Sequence, residues 1–534
     1  MAWNFGDILD TIIPELPPGH PALAHGDRVL SWEDVDRRSN NLGRALQTAG
    51  LAPGAKVGFY LRNSPAFMET LAACFRARLV HANVNYRYRE DELHYILDNA
   101  DAEAVFYDAE FRDRVDALRP RLPGVKAWVE VGTGPVPGWA LAYETLAEDG
   151  DGANLPGPRS GDDLLLLYTG GTTGMPKGVM WDQHNLREAQ SLALRAVGPV
   201  PETLEELRTT IAANGPGATI LPICPLMHGT GLFTAMGAFF SGGTVVTLPN
   251  PSLDAEAVWE TVDRHRVAQI AIVGDSFARP LLAALDEGRD RYALDSLQMI
   301  ISSGVMFSTE IKQRLLAHLP QAAIADSFGA SEAVGFGASV MTKDAPVETA
   351  RFVTNDLCRV FDEEDRELPR GSERPGFIAF GGPIPKGYYK DPEKTAKTFR
   401  TIDGHRYAVP GDYCLVAEDG TLTLLGRGSV CINSGGEKIY PEEVEEALKA
   451  HPDVEDALVV GLPDPTWGQA VTAIVHLVPG AGLDEAALVT AVRERLAPYK
   501  APKRVFAAPQ PFRAPNGKAD YKAARAFAEA ASAA

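Results

Sequence analysis

The chain has 534 residues, which is enough for several domains with sizeable hydrophobic cores. Apolar residues make up 45% and charged residues 23%, a composition that excludes a collagen, a coiled coil or a largely disordered chain. Asp and Glu outnumber Lys and Arg by 71 to 51, so the net charge is −20. Because so acidic a surface repels polyanions, we expect no nucleic-acid partner, and any anionic ligand must be held by a local cluster of donors.

The cysteines are Cys74, Cys224, Cys358, Cys414 and Cys431; they are far apart and never form a CxxC pair. Their odd number and wide spacing argue against a disulfide framework or a zinc site. The N-terminal segment has no basic n-region and carries acids within its apolar part, unlike a secretory signal peptide. We therefore expect a reducing, cytoplasmic location.

Residues 209–253 contain no Asp, Glu, Lys or Arg, a property that they share with membrane-spanning segments. Prolines and glycines interrupt it, and no run approaches the roughly 20 uninterrupted apolar residues of a spanning helix. We predict a buried strand, a loop, a short helix and a second buried strand here, and no transmembrane segment. Peripheral contact with a membrane stays open.

The N-terminal part of the chain alternates between apolar runs of strand length and helical patterns. Strands are predicted at KVGFYL (56–61), AVFY (104–107), TILPIC, TVVTL, AQIAIV, LQMIIS and AIADSF. Helices are predicted at 64–79 and near 232–240, 254–265, 276–287 and 308–317. The helix at 64–79 has Ser64 as its expected N-cap and Pro65 at its first position. Continuous apolar strands separated by helices are typical of an α/β fold with mostly parallel sheets covered on both faces.

The segment from about 350 to 425 has shorter strands, such as GFIAF and TLTLL, and a turn at EDG (418–420). This pattern predicts a smaller β-rich unit. The glycine- and serine-rich stretch GRGSVCINSGG that follows is typical of a flexible connection rather than of an element interior. We place a large N-terminal domain at 1–426 and a hinge at 427–430.

A small mobile α+β domain is predicted over 431–534. PEEVEEALKAH begins a helix with Pro441 at its start and acids in the first turn. Two strands, VEDALVVG and VTAIVHLV, and a helix at 483–496 follow. The tail AARAFAEAASAA predicts a weak C-terminal helix with few anchors to the rest of the domain.

The strongest local signal is LLLLYTGGTTGMPKGVMW (164–181), in which a buried strand runs into a loop rich in glycine and threonine. Glycines let backbone N–H groups converge on an anion, and hydroxyl groups add donors. The loop is not a Walker motif, because Lys177 follows Pro176 and precedes Gly178. Residue chemistry alone leaves two readings open, a phosphate-binding loop and a mobile glycine-rich surface loop. The loop residues concerned are Thr169, Gly170, Gly171, Thr172, Thr173, Gly174 and Lys177.

This string resembles the phosphate loop of the adenylate-forming superfamily, which comprises acyl-CoA synthetases, luciferases and peptide-synthetase adenylation domains. The resemblance recurs in the family's order in LPICPLMHGTG (221–231), DSFGASE (326–332), GGPIPKGYYKDPEKTAKTF (381–399), RYAVPGD (406–412), GRGSVCINSGGEKIYPEEVE (426–445), and LAPYKAPKRV with PNGKADY (515–521). Ordered matches over about 350 residues make coincidence negligible when they are judged together.

The resemblance implies attack of a carboxylate on the α-phosphorus of ATP, with pyrophosphate leaving. Because charge grows on the phosphate oxygens, such catalysis depends mostly on positioning and electrostatic stabilisation. The resemblance implies that the loop from Thr169 to Lys177 holds the β- and γ-phosphates and that Ser331 hydrogen-bonds the α-phosphate. Glu332 is expected to bind Mg²⁺, which takes one or two carboxylates beside phosphate oxygens. Lys518, the mobile lysine of the family, is expected to neutralise the developing charge.

The other matching segments imply further contacts with the nucleotide and with coenzyme A. Asp412 stands where the family binds the ribose hydroxyls, and a carboxylate can accept two O–H bonds. Arg427 can add donors to the ribose or to a phosphate. The adenine side of the site is expected to comprise Gly304, Asp326, Ser327, Phe328, Gly329 and Ala330. The resemblance also implies that the pantetheine arm of coenzyme A lies near Ser434, Gly435 and Gly436. Because these residues are small, they would let the thin arm approach the backbone.

Each of these side chains alone has an ordinary structural explanation. Glu332 could cap a helix, Asp412 could belong to a turn, and Lys518 could lie on an exposed hairpin. His228, in an uncharged segment, could be a buried and satisfied histidine. Only the joint order of the motifs favours functional roles. His228 is not assigned as a base, because a carboxylate nucleophile is already ionised at pH 7; the resemblance places its ring beside the acyl carboxylate as a steric and electrostatic element.

The predicted hinge departs from the family pattern. Many relatives carry x-Lys-Asp after Gly-Arg, with the Asp as the pivot, whereas this chain has Gly428, Ser429 and Val430. A β-branched residue is stiff and prefers extended dihedral angles, so the identity of the pivot is open between Val430 and Gly428. After adenylation the resemblance implies a rotation of the C-terminal domain that removes its lysine and admits coenzyme A.

Our first hypothesis is a carboxylate–CoA ligase of lipid metabolism, an acid–thiol ligase that converts ATP, an acid and CoA into acyl-CoA, AMP and pyrophosphate. The alternatives are an adenylation module that loads a separate carrier protein, an aryl-CoA ligase, a luciferase-like oxidative enzyme and a non-catalytic nucleotide-binding protein. The presence of Glu332, Asp412, Arg427 and Lys518 argues against the last of these. Nothing in the sequence indicates an oligomeric state.

The acid is expected to be hydrophobic. In the family the acyl pocket is lined by the segment after His228 and by residues near 273–277 and 302–307, which here are GTGLFTAMG, VGDSFA and SSGVMF. These segments are apolar and glycine-rich and contain no obvious cation to meet a second carboxylate. They favour a medium- or long-chain fatty acid or a steroid side-chain acid. The strings VGDSFARPL and GRGSVCINSGGEK also look like bacterial fatty-acid and steroid-side-chain CoA ligases.

Overall fold

The predicted alternation of strands and helices is present in the fold. The computed structural model describes residues 2–169, 175–195, 198–305, 307–347, 351–427, 430–434, 437–464, 467–496, 498–514 and 517–533. The α-helices are α1 (Phe5–Ile12), α2 (Trp32–Thr48), α3 (Pro65–Arg76), α4 (Glu90–Asn99), α5 (Arg112–Leu118), α6 (Tyr143–Glu148), α7 (Gln183–Arg195), α8 (Leu204–Asn214), α9 (Gly229–Phe239), α10 (Ala255–Arg264), α11 (Gly274–Gly288), α12 (Thr309–His318), α13 (Pro392–Thr398), α14 (Pro441–Lys449), α15 (Glu485–Arg495) and α16 (Tyr521–Ala533).

The strands, in chain order, are β1 (Pro21–His25), β2 (Arg28–Ser31), β3 (Lys56–Tyr60), β4 (Val80–Asn83), β5 (Ala102–Asp108), β6 (Ala127–Val131), β7 (Leu141–Ala142), β8 (Leu164–Thr169), β9 (Lys177–Asp182), β10 (Ile220–Pro222), β11 (Val245–Thr247), β12 (Gln269–Ile272), β13 (Met299–Ser303), β14 (Ala323–Ala330), β15 (Ala333–Met341), β16 (Arg351–Thr354), β17 (Cys358–Phe361), β18 (Gly376–Phe380), β19 (Gly387–Tyr388), β20 (Phe399–Ile402), β21 (His405–Ala408), β22 (Asp412–Val416), β23 (Leu422–Arg427), β24 (Ile432–Ser434), β25 (Glu437–Ile439), β26 (Val454–Asp464), β27 (Gly468–Leu477) and β28 (Arg504–Ala507).

An eight-stranded sheet has the order β19-β9-β8-β4-β3-β5-β6-β7. The strands from β8 to β7 in this order pair in parallel, as predicted from their continuous apolar runs. β9 turns back antiparallel to β8, so Thr169 and Lys177 are register partners at the start of the hairpin. The predicted phosphate loop connects these two strands, and its residues 170–174 lie outside the described parts of the chain.

A fifteen-stranded sheet has the order β2-β1-β11-β10-β12-β13-β14-β15-β16-β23-β22-β18-β21-β20, with β17 paired to β18. Its central strands β1, β11, β10, β12, β13 and β14 are parallel, and the pairs from β14 onward are antiparallel. The segment 350–425 is β-rich, as predicted. It does not form a sheet of its own, because β16 pairs with both β15 and β23 and so extends the larger sheet.

The C-terminal part contains a five-stranded sheet, β25-β24-β27-β26 with β28 parallel to β27. Only β26 and β27 were expected; part of the stretch taken as a flexible connection forms β24. The expectation of a poorly anchored tail is also wrong. α16 packs on β26, and its residues Ala524 and Ala528 are fully buried, because alanines spaced four apart allow close helix-to-sheet contact.

Some helix starts follow local sequence signals. Asn4 caps α1 by accepting bonds from the backbone N–H groups of the first turn. Ser31 and Asp34 form a reciprocal capping box at the start of α2. α3 begins at Pro65 as expected and Ser64 is its N-cap residue, but the Ser64 hydroxyl is buried and makes no capping bond.

The uncharged segment 209–253 contains the end of α8, which was not predicted, followed by β10, α9 and β11, as predicted. Among the described residues, every helix is too short or too polar to span a bilayer. All the cysteines are free thiols, and Cys431 alone among them is partly exposed. The cytoplasmic location expected from their pattern stays a prediction.

Two large hydrophobic clusters frame the region where the parallel strands end. One contains α1, α2, α3 and α9 between the two sheets, and the other packs α10, α11 and α12 against β12, β13 and β14. The carboxyl ends of β10, β12, β13 and β14 thus open toward the same side, which is where open α/β sheets bind ligands.

Candidate active site

A cavity of about 1600 Å³ lies at the carboxyl ends of β10, β12, β13 and β14. Its wall includes residues that follow each of these strands, among them Cys224, Val273 and Gly304. The C-terminal part of the chain closes another side, through Glu442 of α14 and Lys518. The cavity therefore joins distant segments of the chain.

Most of the predicted site residues line this cavity. They are Thr169, Lys177, His228, Gly304, Asp326, Ser327, Phe328, Gly329, Ala330, Ser331, Glu332, Asp412 and Lys518. Ser434 is buried in β24 and does not belong to the described cavity wall. Residues outside the described parts are Gly170, Gly171, Thr172, Thr173, Gly174, Gly435 and Gly436. The side chain of Arg427 is also outside them, so its expected ligand contacts stay predictions.

Glu332 is held by a tyrosine, Tyr388, that is not among the predicted site residues. Tyr388 Oη donates a 2.6 Å hydrogen bond to Glu332 Oε1, and the carboxylate is only 9% exposed. The backbone next to Glu332 is also fixed, because Trp181 Nε1 donates to the Ser331 carbonyl at 2.9 Å. Tyr388 lies in the quoted string GGPIPKGYYKDPEKTAKTF, so the sequence did contain a signal for it.

Lys177 and Tyr388 meet because β19 pairs with β9. Tyr388 is the register partner of Val179, two residues beyond Lys177. The Lys177 ammonium lies 5.2 Å from the centroid of the Tyr388 ring, a cation–π contact. One aromatic side chain therefore contacts both the loop lysine and the predicted metal-binding carboxylate.

His228 is the N-cap residue of α9 and lines the cavity. Burial, together with the positive charges of Lys518 and Arg87, lowers the pKa of His228 to about 3. The ring is therefore neutral at pH 7. Its Nε2 is buried without a hydrogen-bond partner among the described residues. A neutral ring with an orphaned nitrogen suits contact with a ligand rather than general-base chemistry.

Lys518 reaches the site because its turn docks on the N-terminal part of the chain. Gly517 has a φ of +81° and is buried, and a Cβ added there would lie 2.4 Å from Ser276 Oγ at the start of α11. The absence of a side chain at 517 thus allows the close approach. The positive charge of Lys518 is near enough to His228 to lower its pKa.

Asp412 and Arg427, fifteen positions apart, are direct register partners of β22 and β23. Asp412 is 8% exposed and lines the cavity. It follows Gly411, whose φ of +96° makes the bend into β22. The hairpin therefore places the two predicted ribose-binding positions side by side.

Asp326 has a protein partner that the sequence did not suggest. Lys312 Nζ of α12 lies 2.8 Å from Asp326 Oδ2, and both side chains are buried. Burial raises the pKa of Asp326, against the opposing effect of the Lys312 charge. The carboxylate is thus partly neutralised within the protein, so the expectation that Asp326 itself contacts the nucleotide stays a prediction.

The three segments predicted to line the acyl pocket all contribute to the cavity wall, through Gly229, Val273 and Gly304 among others. None of the three contains a cation, as noted from the sequence. However, arginines outside these segments also line the cavity, among them Arg187, Arg279 and Arg314. Of the helices that carry them, α11 begins within the predicted segment VGDSFA, whereas α7 and α12 lie outside the predicted segments.

Magnesium is compatible with the residues present. The buried Glu332 carboxylate lines the cavity with Thr169 and Lys177, and the hydrogen bond that the described residues give it comes from the neutral Tyr388 hydroxyl. The described residues contain no group of three or more His, Cys, Asp or Glu that could hold a metal by themselves. This donor set suits an ion that takes most of its ligands from phosphates and water.

Comparison with known proteins decides the class of the protein. The AMP-binding enzyme family matches residues 14–389, and the AMP-binding enzyme C-terminal domain matches residues 443–518. The chain belongs to the AMP-binding enzyme family. The resemblance noted in the sequence is thereby confirmed.

Full-length relatives of this AMP-binding enzyme are known. It is 42% identical to the medium/long-chain-fatty-acid–CoA/3-oxocholest-4-en-26-oate–CoA ligase of Mycobacterium marinum, over 99% of this chain and 97% of that protein. It is 40% identical to the 3-oxocholest-4-en-26-oate–CoA ligase of Rhodococcus rhodochrous, over 98% of this chain and 96% of that protein.

The fold of the enzyme is that of solved members of the class. The crystal structure of the anthranilate CoA ligase AuaEII in complex with anthranoyl-AMP superimposes with a TM-score of 0.86, over 100% of this chain and 98% of that chain. The two sequences are 21% identical, so this likeness speaks for the fold alone. It confirms the predicted α/β architecture with a small C-terminal part.

Proposed function

We propose that this AMP-binding enzyme is an ATP-dependent carboxylate–CoA ligase for hydrophobic acids. It adenylates the acid with release of pyrophosphate and then transfers the acyl group to coenzyme A with release of AMP. The proposal rests on one observation: Lys518, His228, Glu332 and Asp412 line the same cavity. Relatives of 40–42% identity named as fatty-acid and steroid-acid CoA ligases support this choice of reaction and substrates.

In the first half-reaction a carboxylate oxygen attacks the α-phosphorus of ATP, and the bond to the β-phosphate oxygen breaks. No proton has to be removed from the nucleophile, which is ionised at pH 7. The uncharged His228 ring therefore packs beside the reacting carboxylate without taking a proton from it, in keeping with its lowered pKa. Lys518 stabilises the negative charge that grows on the phosphate and carboxylate oxygens.

The nucleotide is held by residues from both sheets. Asp412 accepts hydrogen bonds from the ribose hydroxyls, and Thr169 and Lys177 lie at the base of the loop for the β- and γ-phosphates. When Mg²⁺ is bound, it neutralises phosphate charge and assists the departure of pyrophosphate. Glu332 is the residue that would hold the ion, and Tyr388 orients its carboxylate.

The second half-reaction requires a different arrangement of the C-terminal part. The thiol sulfur of CoA attacks the acyl carbonyl carbon of the acyl-adenylate, and the bond from that carbon to the AMP oxygen breaks. In the structure Lys518 lines the cavity whereas Ser434 does not, which suits adenylation. We infer that the C-terminal part rotates about residues 427–430 before thioester formation, bringing the predicted pantetheine residues to the site.

The proposal is tested by incubating the purified protein with ATP, Mg²⁺ and acids from C2 to C18, benzoates and a steroid acid, with and without CoA. We expect acid-dependent pyrophosphate release, and acyl-CoA and AMP when CoA is present, with hydrophobic acids preferred over acetate. Acyl-adenylate formation with no CoA thioester would favour a module that loads a carrier protein. A preference for benzoates would favour an aryl-CoA ligase. Absence of acid-dependent pyrophosphate release would refute adenylation.

A further inference from the structure

Arg187, on the first half of α7, is a buried cation that lines the cavity and has no hydrogen-bond or ion-pair partner for its side chain in the described parts of the chain, although it makes a cation–π contact with Trp3. Its side chain is 3% exposed, its Nε is buried without a hydrogen-bond partner, and no carboxylate forms an ion pair with it. The Trp3 ring is a near neighbour, with its centroid 5.5 Å from the guanidinium carbon. Burial lowers the pKa of Arg187, because charge is costly away from water.

Other buried arginines of the protein are neutralised. Arg38 and Arg76 are each about 1% exposed, and each has carboxylate partners: Glu69 Oε1 lies 2.5 Å from Arg38, and Asp36 Oδ1 lies 2.5 Å from Arg76. This is the usual state of a buried guanidinium, which presents donors in a planar fork. Arg187 differs from these arginines because no carboxylate is paired with it and because it lines the cavity. An arginine that binds a ligand would have both properties.

The carboxylate next to Arg187 in sequence is already engaged elsewhere. Glu188 accepts a 2.8 Å hydrogen bond from Trp3 Nε1 and forms an ion pair with Arg195 at 3.1 Å. Glu188 does not line the cavity with Arg187, although its charge partly offsets the effect of burial on the pKa of Arg187. The Arg187 donors are therefore available to a molecule inside the cavity.

Gln190 lies one helical turn after Arg187 and also lines the cavity. Its Nε2 donates a 3.1 Å hydrogen bond to the Phe233 carbonyl of α9, and its Oε1 is buried without a partner in the described structure. Two unsatisfied polar side chains thus occupy one face of α7. An uncompensated polar group of this kind costs stability unless a ligand or water meets it.

α9 relates this polar face to the reaction centre. The helix begins next to His228, and Phe233 is five residues farther on, about 7.5 Å along the helix axis. Beyond it, Gly237 lines the cavity, and a Cβ built there would meet no other atom within 4 Å. An acid whose carboxylate lies beside His228 can therefore extend along α9 toward Arg187 and Gln190.

We infer that Arg187 is a specificity-determining residue that donates hydrogen bonds to an oxygen on the acid, remote from the reacting carboxylate. The inference rests on the proposed function, since it assigns the carboxylate to the His228 end. Gln190 lies beside it and fixes α7 against α9. A keto oxygen or a second carboxylate has the required acceptor chemistry. The named substrate of two relatives, 3-oxocholest-4-en-26-oate, carries a keto oxygen at the opposite end from its carboxylate.

The test compares acids that differ only in the remote oxygen. The pairs are 3-oxocholest-4-en-26-oate with cholest-4-en-26-oate, and hexadecanedioate with hexadecanoate. Dissociation constants from calorimetry and kcat/KM for acyl-CoA formation are measured for the wild type, Arg187→Met, Arg187→Lys and Arg195→Met. Arg195 is a matched control, because it lies on the same helix but is exposed.

We expect the wild type to prefer an oxygenated acid and Arg187→Met to lower that preference by about 10- to 100-fold, the effect of one hydrogen bond to a charged group. Arg187→Lys should retain part of the preference, and Arg195→Met all of it. The substrate pair in which Arg187→Met lowers the preference shows whether Arg187 donates to a keto oxygen or to a second carboxylate. The melting temperature of Arg187→Met should change little, because no protein ion pair is lost and removal of a costly buried charge offsets the lost contact with Trp3.

An unchanged preference in Arg187→Met, or no preference in the wild type for either oxygenated acid, overturns the inference. Calorimetry separates this result from failure of the proposed function. If no acid gives acyl-CoA, the ligase proposal fails, and the ratio of dissociation constants still decides the role of Arg187. If a Met variant does not fold, the Lys variant supplies the comparison.

Discussion

Tyr388 Oη and Glu332 Oε1, 56 positions apart in sequence, are joined by a buried 2.6 Å hydrogen bond. The short strand β19 makes this contact possible by pairing with β9 beside the phosphate loop. A carboxylate that must bind a cation beside phosphates needs a fixed orientation, and the phenol supplies it without adding charge. The orientation of the predicted metal ligand Glu332 thus depends on a residue that is distant from it in sequence.

Tyr388→Phe should weaken Mg²⁺-dependent adenylation by about tenfold, because a hydrogen bond to a charged group contributes about 1.5–3 kcal/mol. The loss should appear mainly as a higher concentration of Mg²⁺ needed for half-maximal pyrophosphate release. Tyr389→Phe is the control, since the Tyr389 hydroxyl bonds Asp101 on the exposed surface. Equal effects of the two substitutions would contradict the positioning role of Tyr388.

Lys518→Ala should impair acyl-adenylate formation by about 10²–10³, the usual loss when one donor to a developing charge is removed. Use of a synthetic acyl-adenylate with CoA should be largely retained, because the lysine is expected to leave the site before that step. Single-turnover measurements of the two half-reactions check this expectation. Lys522→Ala, at an exposed position of α16, is the control. Similar losses in both half-reactions of Lys518→Ala would count against a lysine that serves only adenylation.

The sequence was sufficient for features that depend on neighbours along the chain. The strand that leads into the predicted phosphate loop and the turn at 418–420 follow from short, recognisable strings. Strands such as β3 also followed from continuous apolar runs. These elements have local causes, so their prediction required no knowledge of packing.

Contacts between distant elements were not predictable in the same way. Arg187 and Arg195 are two arginines on one helix, and only the packing of α7 against α9 shows that Arg187 is buried. Lys312 has the sequence context of a surface lysine, yet it pairs with Asp326. The buried face of α16 was missed because alanine alone is a weak signal of hydrophobic packing.

Acid should destabilise the protein through His81. This ring is fully buried against Phe59 and Phe67, with both nitrogens unpartnered among the described residues. Burial lowers the pKa of His81 to about 3. In the unfolded chain, where the pKa is about 6.5, the ring takes up a proton below that pH, so stability is lost as the pH falls from about 6.5 toward 3.

His81→Leu should reduce this pH dependence. As the pH falls from roughly 6 to 4, the free energy of unfolding of the wild type should decrease more steeply than that of the variant. The difference is up to about 1.4 kcal/mol per pH unit, the contribution of one proton. The free energy of unfolding of both proteins is measured by urea unfolding at several pH values. The slopes of this free energy against pH are then compared. If the free energy of unfolding depends on pH in the same way in both proteins, His81 is not the cause of the loss of stability in acid. Adenylation at pH 7 should change little, because His81 lies outside the cavity wall.

The hinge prediction concerns Val430, since residues 428 and 429 lie outside the described parts of the chain. Proline fixes φ near −65° and removes an N–H, so Val430→Pro should hinder rotation about the hinge. The structure has Lys518 in the cavity, which suits adenylation, so this step should survive if the proline holds the same orientation. Thioester formation should fall at least about tenfold, equivalent to roughly 1.4 kcal/mol in the barrier.

Val430→Asp is the matched control for the hinge, because many relatives carry Asp at this position, and both half-reactions should stay within a few-fold of the wild type. Single-turnover adenylate formation and CoA-dependent thioester release are measured on variants of unchanged melting temperature. Full thioester activity in the proline variant would place the pivot elsewhere. Gly428 would then be the next candidate, because glycine can absorb a large change in φ and ψ without steric cost.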